Sequence, residues 1–292
     1  MAFIKLRKLT TLLLIFCTGM LFNCTESGLN QPETEVKEIK ETSSGITLDG
    51  NQLRVLTLPT PVQLASILDA YGVNYNADHL TKINETHVYS SNYSRAVCGG
   101  IYAVNLGYSA IFNDHEKSVR YFNHLNSVLT DIGIKTYTVS ELNKRYGKNI
   151  EKPDSLSKII LETYDAAHKF LISNEQEEVG FYLLSGSYLE GLNLLCQTNT
   201  AGFFSDKKQL FHNLFGQHKI FLDNLIEISG YTSSNDENTL ELTETLLNLQ
   251  KVFSRHPLIM DGKKLEMKSA LTKVDIQEIQ QIITLYKDLV MS

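Results

Sequence analysis

The chain has 292 residues, with 27 lysines and arginines against 33 aspartates and glutamates, which gives a formal charge of −6 at pH 7. Its hydrophobic content of 42% is enough for one sizeable core or two lobes. An acidic surface repels phosphate backbones and anionic headgroups, which argues against a nucleic-acid partner and against membrane binding through basic residues.

The N-terminus has the residue order of a secretory signal. Three basic residues precede residue 9, residues 9–20 are apolar, and the letters LFNC follow at 21–24. This order resembles a bacterial lipoprotein signal, which implies a signal peptide over 1–23 and a lipid on Cys24. The Phe and Asn before the cysteine depart from the usual small residues, so ordinary signal-peptidase cleavage and a retained anchor stay open as alternatives.

Removal of residues 1–23 takes away three basic and no acidic residues, so the mature chain carries 24 − 33 = −9. Its membrane contact is therefore expected to come from the N-terminal lipid. Thr25 after the cysteine, where Asp would favour the inner membrane, favours the outer membrane, on its periplasmic or its surface face. We expect a lipid-anchored protein of the cell envelope, with an envelope protein as a candidate partner.

The segment after the cysteine predicts a tether. Residues 25–45 have almost no apolar side chains and alternate acid with base, which is typical of disorder, and we assign residues 24–52 to this tether. Short alternating runs on either side of Asp49-Gly50 suggest an N-terminal extended or hairpin segment. The folded domain is predicted over residues 53–292.

From residue 59 onward the apolar residues follow the helical period. In PTPVQLASILDAYG, Thr60 is the predicted N-cap, Pro61 the first helical residue and Gly72 the stop. Further helices are predicted near residues 90–112, 115–132, 138–146, 154–173, 175–197, 206–229, 236–254 and 273–290. With 5 prolines and no comparable series of strands, the sequence predicts an all-α fold, as a helical bundle or as stacked helical hairpins.

Residues 98–112, CGGIYAVNLGYSAIF, are uncharged and apolar on nearly every face, which predicts a buried central helix. Five small residues fall at steps of four and three along one side, where another helix can approach closely: Ala96, Gly100, Ala103, Gly107 and Ala110. The glycines are not followed by the Gly-Lys-Ser/Thr of a phosphate loop. Asn105 and the glycines make the stretch a poor membrane span.

Two parts of the chain are similar to each other. GIYAVNLGY at 100–108 and GFYLLSGSY at 180–188 match at an offset of 80, and LNSVLTDIG at 125–133 is similar to LDNLIEISG at 222–230. The pattern suggests an internal duplication of a helical hairpin, with chance similarity between apolar helices as the alternative. The predicted pseudo-repeats are residues 89–133 and 175–230.

The stretches PTPVQLASILDAYG, YNADHL, YAVNLGYSAIF and YFNHL with the later DIGI resemble a family of helical lipoproteins from Bacteroidota. The resemblance covers roughly residues 58–135. It implies an envelope location and a helical fold, and it supplies no catalytic or binding residue.

One set of side chains has the spacing of metal ligands. Glu162, Asp165 and His168 share one helix face in ETYDAAH, but a dimetal bundle needs a second such motif and the chain has none. Surface ion pairing, for example of Asp165 with Lys169, is the alternative interpretation. We therefore predict no cofactor and keep the three residues as metal candidates.

The remaining reactive side chains have structural explanations. Cys98 and Cys196 are a candidate disulfide in an oxidising compartment, with two buried thiols as the alternative. Asn113 and Glu116 have the spacing of a capping box, and no residue is predicted to be catalytic.

The sequence predicts an envelope binding or scaffolding module rather than an enzyme. Two alternatives stay open. One is a helical-bundle metal protein or enzyme that uses Glu162, Asp165 and His168. The other is a small-ligand receptor with a cleft between the two helical hairpins.

Overall fold

The structure is a computed structural model. It describes residues 60–83, 89–134, 144–146, 148–149, 155, 158–160, 162, 176–200, 207–230, 236–261 and 264–291, which all belong to one compact unit. Its helices are α1 Gln63–Ala70, α2 Asn92–Ile111, α3 His115–Asp131, α4 Glu177–Thr200, α5 Lys208–Ser229, α6 Glu237–Ser254 and α7 Lys273–Val290, with a 3-10 turn at Ala77–His79. Strands β1 Leu258–Asp261 and β2 Lys264–Met267 form an antiparallel hairpin. The predicted all-α fold is confirmed.

Helices α2 and α4 form the centre of the bundle. Every residue of α2 from Ala96 to Ala110 is buried, as the charge-free pattern predicted. The two helices run parallel, because Tyr93 contacts Tyr182 near their N-termini and Asn105 contacts Glu190 further along both. A helix that is apolar on nearly every face is stable only when neighbours surround it, which is the position that α2 occupies.

Helices α2 and α4 meet at a reciprocal pair of glycines. A Cβ atom on Gly100 would overlap the backbone carbonyl of Leu183, and a Cβ atom on Gly186 would overlap the backbone carbonyl of Val97. Each glycine therefore lies against the carbonyl three residues before the other glycine, a relation with an offset of 86. That offset differs from the 80 of the sequence comparison, and the duplication itself stays a prediction.

The rest of the small-residue side of α2 contacts a different neighbour. A Cβ atom on Gly107 would lie 2.5 Å from the carbonyl oxygen of Pro61, just before α1. Another backbone thus approaches both glycines closely, as predicted. At Gly100 it belongs to helix α4, and at Gly107 it belongs to the residues just before α1.

Helix ends depart from the prediction at two places. Helix α1 begins at Gln63, and its N-cap position, Val62, makes no side-chain capping bond. Its end is as predicted, because Gly72 takes the left-handed backbone at φ 64° that stops a helix. Between α2 and α3, Asn113 takes φ 62° and Asp114 accepts a bond from the backbone N–H of Lys117 at 3.0 Å. The predicted Asn113 cap is therefore wrong, because Asn113 is used for the left-handed turn between the helices.

The β-hairpin was not predicted. Its strands have four residues each, too few for a clear alternating pattern, although the dipeptide Asp261-Gly262 is a hairpin signal in the sequence. Met267 is buried and lies against Gly216 of α5.

Some predicted elements lie partly or wholly outside the described residues. The signal peptide, the tether and the N-terminal hairpin lie outside them entirely. Within the predicted helices at 138–146 and 154–173, the described residues 144–146, 155, 158–160 and 162 are helical. Across the described ranges, no helix combines the length and the apolar character needed to cross a membrane.

Candidate functional site

A surface cleft of about 540 Å³ lies between the segment after the 3-10 turn and the N-terminal half of α3. This volume is within the range of pockets that hold small organic ligands. The cleft is lined by Ala77, Asp78, Leu80, Lys82, Ile83, Lys117, Arg120 and Tyr121.

The α3 side of the cleft follows from helical spacing. Lys117, Arg120 and Tyr121 stand at i, i+3 and i+4, so one face of α3 carries all three. Tyr121 is buried, whereas Lys117 and Arg120 are both half-buried.

The other side of the cleft begins at the 3-10 turn. The side chain of Asn76 accepts a bond from the backbone N–H of Asp78 at 3.0 Å and so caps the turn. The backbone N–H of Asn76 donates to the hydroxyl of Tyr108 on α2 at 3.3 Å. These contacts place the turn on the central helix, and the chain then continues as the wall formed by Leu80, Lys82 and Ile83.

Thr81, in the middle of this wall, is held by side chains from four helices. Its backbone N–H donates to Asn105 Oδ1 of α2 at 3.1 Å, and its carbonyl accepts from the Tyr121 hydroxyl of α3 at 2.6 Å. Its hydroxyl donates to Glu190 Oε1 of α4 at 2.6 Å and accepts a bond from Lys287 Nζ of α7. Every polar group of Thr81 is therefore bonded to a side chain.

Glu190 is a fully buried carboxylate with an ion-pair partner. Lys287 Nζ lies 2.5 Å from its Oε2, and Asn105 Nδ2 lies 2.8 Å from its Oε1. The Lys287 side chain is only 13% exposed. Because a buried charge is tolerated only when it is paired and hydrogen-bonded, these donors explain how the carboxylate is accommodated.

The cleft is locally cationic on an acidic chain. Among the described residues that line it, Lys82, Lys117 and Arg120 are basic and Asp78 is acidic, whereas the whole chain has a formal charge of −6. Burial, with the negative charge of Glu190 nearby, raises the pKa of Tyr121, so its hydroxyl stays protonated at neutral pH. That proton is donated to the Thr81 carbonyl, so the basic and aliphatic side chains are the groups that suit an organic anion.

The residues predicted as a metal site are not brought together by anything described. Glu162 pairs with Arg145, whose Nη1 lies 2.6 Å from Glu162 Oε2. Asp165 and His168 lie outside the described residues. Within the ranges that the structure describes, no group of three or more His, Cys, Asp and Glu residues could hold a metal ion. The metal candidates stay a prediction.

Cys98 and Cys196 are free and buried in the structure. Burial raises the pKa of Cys98 to about 12, although Tyr89 and Lys287 partly offset the effect, and burial also raises the pKa of Cys196. Both thiols are therefore protonated at neutral pH and poorly nucleophilic. Cys24 lies outside the described residues.

Ser269, His256 and Asp275 form a hydrogen-bonded chain of the residue types found in catalytic triads. Ser269 Oγ lies 2.9 Å from His256 Nδ1, and His256 Nε2 lies 3.1 Å from Asp275 Oδ2. However, Asp275 is also the capping-box residue of α7, bonded to Thr272, and it pairs with Arg255. None of these residues lines the described cleft. Their hydrogen bonds connect the segment after the β-hairpin to the start of α7, which is a structural role.

His218 of α5 is a buried histidine that no sequence motif marks. Its Nδ1 lies 2.9 Å from the carbonyl of Leu214, so Nδ1 carries the proton, and Nε2 has no hydrogen-bond partner among the described residues. Burial lowers the pKa of His218 to about 4.

Acid should therefore destabilise the fold through His218. Between pH 6.5 and 4 the unfolded chain binds a proton that the folded chain does not, so stability is lost as the pH falls below 6.5. We expect a loss of about 2 kcal/mol between pH 7.5 and pH 5, measured by urea unfolding. His218→Leu should remove most of this pH dependence, and an unchanged slope in that variant would contradict the assignment.

The cleft itself is not apparent from the sequence. Lys117, Arg120 and Tyr121 have a helical spacing that can be found in the sequence, but Lys82 belongs to a separate segment.

The comparison with protein-family models finds no match, and the comparisons with curated proteins and with solved structures find no significant match either.

Proposed function

We propose that the protein is a ligand-binding module of the bacterial cell envelope, anchored by a lipid on Cys24, which binds small organic anions in the cleft. The observation that supports this function is a cleft of about 540 Å³ in which three basic side chains surround aliphatic side chains and the ring of Tyr121. Opposite charge in a concave surface raises the local concentration of a charged ligand and strengthens its binding.

The ligand has an anionic group joined to an apolar body. Lys82, Lys117 and Arg120 provide the positive charge, and Leu80 and Ile83 provide aliphatic surface. Asp78 disfavours a second anionic group on its side of the cleft. A carboxylate and a phosphate both fit this chemistry, so the test must include one of each.

Calorimetric titration of the full chain should detect binding of octanoate or octyl phosphate and no binding of octanol. The double variant Lys82→Gln/Lys117→Gln should weaken the affinity at least tenfold, which corresponds to about 1.4 kcal/mol. Lys208→Gln removes one positive charge from α5, outside the cleft, and should leave the affinity unchanged.

Two results would contradict the cleft as an anion site. Binding of octanol as tight as that of octanoate would assign the cleft to neutral ligands. Wild-type affinity in the double variant would place the anion site away from Lys82 and Lys117.

The anchor is tested separately. Metabolic labelling with a fatty-acid analogue should mark the wild-type protein and be lost in Cys24→Ala, because the proposed lipid is attached to that thiol. Cys17→Ala, in the apolar part of the signal, is the matched control and should keep the label. Label retained in Cys24→Ala would overturn the assignment.

A further inference from the structure

The wall segment Leu80–Ile83 is held in an unusual way. The hydrogen bonds of Thr81 that the structure shows go to side chains of α2, α3, α4 and α7, not to a neighbouring backbone. The residues on either side of it, Leu80 and Lys82, line the cleft, whereas Thr81 does not. The position of this wall is therefore set by side chains that come from helices far apart in the sequence.

Two of these side chains, Glu190 and Lys287, form the buried ion pair. Such a pair is weak evidence for stability, since apolar residues of similar volume often stabilise a core equally well. Both charged groups of the pair contact the hydroxyl of Thr81, so the pair also fixes the position of the wall segment that carries Thr81. Fixing the position of one segment is a role of a buried charged pair that is separate from its contribution to stability.

A ligand that contacts Lys82 and Ile83 gains from a wall that is already in place. Ordering a loop at the moment of binding reduces affinity, whereas a preorganised loop does not. Residues that a ligand never touches can thus determine how tightly it binds.

We infer that Glu190 and Lys287 are positioning residues of the cleft, which act through Thr81 to hold Leu80, Lys82 and Ile83 in the binding geometry. The inference rests on the proposed function of the cleft. By linkage, a ligand in the cleft also strengthens the attachment of α7, the helix that carries Lys287.

Thr81→Val is the sharpest variant, because valine keeps the shape of threonine and removes only the hydroxyl that contacts Glu190 and Lys287. The control is Ile279→Val, a change at a fully buried position of α7 about two turns before Lys287, which alters no hydrogen-bonding group. Both variants are compared by amide hydrogen exchange without ligand and by titration with octanoate and octyl phosphate.

We expect the backbone amide of residue 81 to exchange at least tenfold faster in Thr81→Val than in Ile279→Val when the two are compared at equal global stability. The affinity for the bound anion should fall at least fivefold in Thr81→Val and stay within twofold of the wild type in Ile279→Val. Octanoate should slow amide exchange in α7 of the wild type and have a smaller effect in Thr81→Val.

The positioning role is overturned if exchange at residue 81 and anion affinity are the same in the two variants. It is also overturned if Ile279→Val weakens binding as much as Thr81→Val, because binding then follows global stability. Failure of the proposed function has a different signature: the wild type binds neither anion, and the positioning of the wall for a ligand is then rejected with it, whatever the exchange rates show.

Discussion

Replacement of Gly100 by leucine should lower the free energy of unfolding by about 3 kcal/mol or more, the upper end of the usual cost of overpacking. The side chain would begin with a Cβ atom that overlaps the carbonyl of Leu183 and lies 2.6 Å from the backbone nitrogen of Ser187. Backbone atoms of a packed helix cannot rotate away, so α2 and α4 must separate along their contact.

Alanine at the same position separates packing from helix propensity. Gly→Ala in a helix gains up to about 1 kcal/mol, so a loss of stability in Gly100→Ala or Gly186→Ala can come only from the contact between the helices. Thermal and urea unfolding, with the near-ultraviolet signal of the adjacent Tyr102, measure the effect.

The chain provides matched controls for both glycines. At Gly99, beside Gly100, the nearest atom to an added Cβ is the Val128 side chain at 3.3 Å, which can adjust. At Gly191 on α4 the nearest atom is His218 Nε2 at 3.6 Å, an ordinary contact. Gly99→Ala and Gly191→Ala should be close to neutral or stabilising. Wild-type stability in both Gly100→Leu and Gly186→Leu would contradict the close packing.

Removal of one member of the buried ion pair should have an effect of similar or larger size. Lys287→Met leaves the Glu190 carboxylate, which has no solvent exposure, without its counter-charge. Breaking a buried pair in this way typically costs about 3–5 kcal/mol. The expected result is a large decrease in the urea midpoint with an unchanged denaturant slope.

The double variant Glu190→Gln/Lys287→Met tests whether the loss comes from the unpaired charge. Glutamine at position 190 keeps an oxygen that can accept the hydrogen bond from Asn105 and removes the negative charge. The double variant should therefore be more stable than Lys287→Met alone. If the losses of stability in Glu190→Gln alone and Lys287→Met alone add up to the loss in the double variant, the two groups do not interact in solution.

Much of the fold was predictable because it depends on local patterns. The absence of charge over residues 98–112 predicted the buried helix α2, and Gly72 marked the end of α1. The cap of α3 was misplaced by one residue, because the backbone conformation of Asn113 depends on how closely α3 follows α2. The hairpin at β1 and β2 was missed because its strands are too short to show a period.

The candidate site was not predictable in the same way. Lys82, Lys117 and Arg120 are ordinary surface cations in the sequence, and only the packing of the 3-10 turn against α2 brings their two segments to one cleft. Glu190 is the one charged residue between positions 179 and 200 of the sequence, which marks it as unusual, but its partner Lys287 lies 97 residues away.

The sequence by itself determined the helical class, the central apolar helix with its small-residue side, and the acidic balance of the chain, because each of these is a property of composition or of spacing along one helix. Tertiary structure alone decided that Gly100 faces Gly186, that Thr81 is bonded to four helices, and that three cations share a cleft. Contacts of this kind join residues that are remote in the chain, and they follow from which helices pack together and in which register. Helical periodicity says which face of a helix is buried, and it carries no information on which other helix lies against that face.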